Sequence, residues 1–111
     1  MRLRCRQYKK KEGEKMKMLY NEKIHTVISK SLHCLRGARC WQAEADTEKE
    51  RNPHNYYGID YCTSKAWELK IRAEALYKIS KSMRTARPER VATLYKRAME
   101  IDEEATAIEN E

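Results

Sequence analysis

The stretch CTSKAWELKIRAEALYKISKSM, Cys62 to Met83, decides the fold. Its small and apolar residues Cys62, Ala66, Leu69, Ala73, Leu76, Ser80 and Met83 fall at alternating steps of four and three. Steps of that kind return to one side of a helix and cannot hold one side of a strand. The spacing predicts a helix from about Tyr61 to Arg84, with Asp60 or Thr63 as N-cap.

Two more helices flank it. Upstream, Tyr20, Ile24, Val27, Ser31, Cys34, Ala38, Trp41 and Ala45 repeat the same alternation, predicting a helix from Leu19 to about Asp46. Ile28, Leu32 and Leu35 widen its stripe, as suits a helix facing a core. Gly37 lies inside this span, where it costs about 1 kcal/mol against alanine and marks a site of close packing. Downstream, Thr85–Arg87 reads as a short turn and Pro88 as the first position of a third helix. That helix presents Val91, Leu94, Ala98, Ile101, Ala105 and Ile108. Between the first two helices, Asp46 to Asp60 (DTEKERNPHNYYGID) contains Pro53, Gly58 and several turn formers, and reads as a long loop.

Each seam alternates a small line with a large one. Ser31, Ala38 and Ala45 are matched by Ala66, Ala73 and Ser80, and by the slightly larger Val91, Ala98 and Ala105. Small residues at every seventh position let antiparallel helices approach closely. The expected fold is therefore all-α: a three-helix up-down-up bundle with a long N-terminal hairpin. Residues 18–111 would form the bundle, behind a flexible basic extension over residues 1–17.

Charge is unevenly spread. The chain of 111 residues is +7 overall, with +9 in residues 1–40, −3 in 41–60, +7 in 61–99 and −6 in 100–111. Such a balance invites nucleic acid or an acidic partner. Much of it, however, precedes KKEGEKMKM, Lys10 to Met18, whose Lys-Glu-Gly-Glu-Lys run can be encoded by purine-rich codons of the bacterial ribosome-binding pattern. Met16, or else Met18, is accordingly expected as the native start. A chain beginning at Met16 carries only +2.

The chemistry-bearing residues point away from catalysis. No nucleophile elbow, phosphate-cradling glycine loop or Ser-His-Asp arrangement is legible. His33, Cys34, Cys40, His54 and Cys62 lack the CxxC or HxxxH spacing of zinc sites. Glu44 and Glu48, with Glu100, Glu103 and Glu104, lack the paired motifs of magnesium-dependent nucleotide pyrophosphatases, and the acidic tail reads as a solvated chain end. Cys34 and Cys40, six residues apart, fall on different faces of one helix, so buried free thiols are expected for the four cysteines, Cys5, Cys34, Cys40 and Cys62, in a cytosolic chain without cofactor or metal.

Two surfaces remain. The loop gathers His54, Asn55, Tyr56 and Tyr57, the amphipathic aromatic composition of protein-binding hot spots, unless the tyrosines instead fold back as a lid. Lys78, Lys81, Arg84, Arg87 and Arg90 climb at steps of three across the second turn, joined by the arm Arg2, Arg4, Arg6, Lys9, Lys10 and Lys11. Such a patch suits phosphates. The expected function is a non-enzymatic helical binding protein, a prokaryotic or phage accessory factor that docks on and modulates a larger host protein. Nucleic-acid binding through the basic row is the alternative, and self-association is a third possibility.

Overall fold

The seams meet as their spacing requires. The computed structural model describes residues 12–110, with side chains from Asn21 onward. Over that span the chain forms α1 (Glu12–Arg51), α2 (Tyr56–Thr85) and α3 (Pro88–Glu109), running up, down and up. Ile24, Val27, Ser31, Cys34, Ala38 and Ala45 of α1 are buried against Ala66, Leu69, Ala73, Leu76, Ser80 and Met83 of α2. Val91, Ala98, Ile101 and Ala105 of α3 complete the core, and Trp41, Leu94 and Ile108 pack at its edge.

The small lines do bring backbones together. Ser31 Oγ donates to the carbonyl of Ala73 at 2.9 Å, a hydrogen bond between helices forty-two residues apart in sequence. A β-carbon on Gly37 would stand 3.3 Å from Leu69 Cδ1, so α1 and α2 touch there with little to spare. A serine hydroxyl reaches a facing main chain only where both residues are small.

The first connection departs from expectation. Instead of a loop over residues 46–60, α1 continues to Arg51 and α2 begins at Tyr56, leaving only Asn52–Asn55 between them. Glu48 to Arg51 are good helix formers, and Asp46 is held on the helix by an amide donated from Gln42 at 3.2 Å. Pro53 disfavours helical backbone at Asn52, so the helix stops there. Asn55, rather than Asp60 or Thr63, caps α2: Gly58 N–H donates to Asn55 Oδ1 at 3.1 Å, and Asn55 Nδ2 donates to Glu48 Oε2 at 2.6 Å. Gly58 is thus inside the helix, where a β-carbon would collide with the Asn55 amide.

The second turn is as expected: Ala86 and Arg87 separate the helices, Arg87 is extended ahead of Pro88, and Pro88 starts α3. α1 starts at Glu12 rather than Leu19, while residues 1–11, most of the expected extension, lie outside the described residues.

The corner makes a signed prediction. Asn55→Ala removes the cap and should cost about 1 kcal/mol. Gly58→Ala should destabilise the native chain by a similar amount. In the Asn55→Ala background the same change should instead stabilise, by up to about 1 kcal/mol, because the obstructing amide is gone and alanine is the better helix former. Urea midpoints at constant m-value measure all four corners of the cycle.

Candidate functional site

The hairpin corner places His54, Asn55, Tyr56 and Tyr57 together, in roles that differ. Asn55 is half-buried and structural. Tyr56 and Tyr57 occupy the first turn of α2 and are 67% and 83% exposed, so they point away from the bundle and form no lid. His54 is exposed and meets Tyr56 edge-on, with ring centroids 6.3 Å apart. The three rings sit on backbone fixed by the cap and by Asn55 N–H donating to the Asn52 carbonyl at 2.9 Å.

The basic row is divided by the turn. Lys78, Lys81 and Arg84 lie on α2, Arg87 precedes α3 without a side-chain cap, and Arg90 lies in the first turn of α3. All five are exposed, and among the described residues none is paired with a carboxylate. Lys81 instead lies 5.5 Å from the Tyr77 ring centre. The arm from Arg2 to Lys11 lies outside the described residues.

One cation that the spacing did not single out is buried. Lys65 is 5% exposed; its Nζ donates to the Ile108 carbonyl at 2.6 Å and sits 4.9 and 5.1 Å from the rings of Trp41 and Tyr61. A cation there meets the negative end of α3 and satisfies one of its terminal carbonyls. Three acids of α3 reach across to the hairpin, whereas Glu103 is exposed, so the acidic tail is solvated only in part. Asp102 pairs with Lys30 at 3.1 Å, Glu109 lies 3.7 Å from His33, and Glu104 lies 3.3 Å from Arg72 Nε. The last contact lacks hydrogen-bond alignment, leaving Nε buried without an acceptor.

These contacts put α3 on one side of the α1–α2 hairpin, and the opposite side is open. There Leu32, Trp67 and Tyr77 are 50%, 60% and 52% exposed. Leu35 joins two adjoining depressions between α1 and α2, of about 350 and 390 Å³. The signal for this surface was present: Trp67 stands one position off the seam residue Ala66. Tyr56, Trp67 and Lys78 are also spaced by eleven residues, within about 20° of whole turns, and so lie on one line along α2.

Cys34 and Cys40 lie on different faces of α1, as their spacing requires, but of the three described cysteines only Cys34 is the buried thiol expected: Cys40 is exposed and Cys62 half-buried, while Cys5 lies outside the described residues. Among the described residues no three His, Cys, Asp or Glu side chains gather to hold a metal ion, and no helix is long and apolar enough to cross a membrane. No protein-family model, curated protein or solved structure matches the chain.

Burial, reinforced by the carboxylates of Asp102 and Glu109, pushes the Cys34 thiol from 9.0 up to about 11. A raised folded value means that this stability is whole below about pH 9 and lost as pH climbs through 11. The loss should be on the order of 2–3 kcal/mol. Cys34→Ala should be less stable at pH 7 yet lose less between pH 9 and 11, as read from urea unfolding of both chains across that range.

Proposed function

We propose that this protein is a small, non-enzymatic docking factor that binds a larger protein and modulates it. The observation that carries the reading is the exposure of Tyr56 and Tyr57 on a helical turn whose geometry is fixed by Asn55, Glu48 and Gly58. Large aromatic faces held on rigid backbone lose little entropy on binding, and a phenol offers both an apolar face and a hydroxyl. The setting proposed with it is a prokaryotic or phage accessory protein acting on host machinery. Small size and high charge support that setting.

Tyr56→Ala combined with Tyr57→Ala should abolish recovery of a stoichiometric protein from nuclease-treated lysate. The circular dichroism should stay unchanged, because both side chains lie outside the core. A partner retained equally by both chains would sink the reading.

The unpaired basic row supports a second reading, nucleic-acid binding. Lysines and arginines on phosphates release counterions, so affinity should fall steeply with salt. Arg84→Glu with Arg87→Glu should then remove binding to a labelled duplex. Affinity indifferent to salt would exclude it.

A further inference from the structure

We infer that the open groove between α1 and α2 receives an acidic, amphipathic helix from the partner protein. The inference deepens the docking reading, and depends on it only for the existence of a protein partner.

Shape is the first ground. Ser31, Ala66 and Ala73 line the two depressions, and these are the small residues that let α1 and α2 approach. Leu32, Leu35, Trp67 and Tyr77 stand along the groove as apolar walls. A floor of small residues between larger ones is what an incoming helix needs in order to settle its own apolar ridge. From Thr63 to Lys78 the groove follows α2 for about 22 Å, roughly four helical turns. An occupant of about fifteen residues fills it.

Charge selects the occupant. Arg39, Lys70 and Lys78 line the groove against one acid, Glu74. The opposite side of the same hairpin shows what that arrangement accepts: α3 sets Asp102 and Glu104 against Lys30 and Arg72. α3 makes the hairpin a three-helix bundle, and a second acidic helix on the free side would make it a four-helix one. A second copy docked groove to groove would bring like cations together, a costly juxtaposition where water is excluded. A partner helix carrying Asp and Glu beside its apolar stripe fits both requirements.

The test uses the full chain and three labelled synthetic peptides of fifteen residues. The first repeats Leu at helical spacing with Glu elsewhere, the second replaces every Glu by Lys, and the third is the acidic peptide with two central prolines. Fluorescence anisotropy should show the acidic helix binding and the other two not. Trp67→Ala should weaken it by about tenfold or more, as loss of a central aromatic anchor does. Arg39→Glu with Lys70→Glu should reverse the preference toward the lysine peptide. All the substituted positions are exposed, and circular dichroism verifies that the variants remain folded.

Equal binding of the acidic and lysine peptides, indifference to Trp67→Ala, or no binding by any peptide would overturn the inference. So would a concentration-dependent dimer in sedimentation that Trp67→Ala dissolves, since a second copy would then be the occupant. Tyrosine-dependent capture that survives Trp67→Ala leaves the docking reading standing and removes only the groove from it. Acidic-peptide binding without any tyrosine-dependent partner does the reverse.

Discussion

Everything in this bundle rests on how closely α1 and α2 approach. Ser31 and Ala38 face Ala73 and Ala66 in the buried interior, and the Ser31 hydroxyl bonds the facing main chain at Ala73. Beside the small positions, Val27, Cys34, Leu69, Leu76 and Met83 are wholly withdrawn from solvent. A larger side chain at Ala73 would separate the helices, displace the hydrogen bond and spoil the seat of α3 together. Overpacking in such a contact is transmitted rather than absorbed, because the interior is close-packed.

Electrostatics adds direction to that shape. The chain stores cations in its first and middle parts and acids at its end. Folding converts this separation into matched contacts, with Lys30 on Asp102, Arg72 beside Glu104 and Lys65 at the last carbonyls of α3. Exposed pairs of this kind add little stability each. Their larger effect is to tell the two sides of the hairpin apart: α3 parallel to α1 places Asp102, Glu104 and Glu109 level with Lys30, Arg72 and His33. Lys65 goes further, since its buried ammonium has its charge balanced by a helix end and two aromatic faces.

The core was legible in the sequence because steps of four and three admit one geometry. Every described seam residue is buried or half-buried as the pattern puts it, but Leu32, which widens the expected core stripe of α1, is half exposed on the open side of the hairpin. The connection was not legible, for a local reason. Asp46, Asn52, Asn55 and Gly58 are turn formers by composition, yet only Asn52 and Asn55 act as such. Asp46 lies on the flank of α1, and Gly58 yields its side-chain space to the cap of α2. Residue type gives a preference; which of several candidates ends the helix depends on Pro53 and on the reach of one amide to Glu48. The burial of Lys65 was not legible, because a lysine within a helix is ordinarily a solvated one. Trp67 was not legible because the periodicity marks only the seam, and Trp67 stands one position beside it. The pair Tyr56 and Tyr57 stands out in the sequence, but as part of a loop, and their place in the first turn of α2 alters what they offer a partner.

The two short turns lie at opposite ends of the bundle, and α2 alone has both its ends in them. Fraying normally begins where a helix ends in free chain, and α2 has no such place. Its amide protons can reach solvent only when the hairpin parts from α3 or the whole bundle opens. Among the described helices α2 is therefore expected to exchange its amide protons most slowly, with a protection close to the global stability. The same helix carries Tyr56, Trp67 and Lys78 along its outer line. Its outward side chains are thus mounted on the described helix that is tethered at both ends, so a ligand there would meet backbone with little left to order.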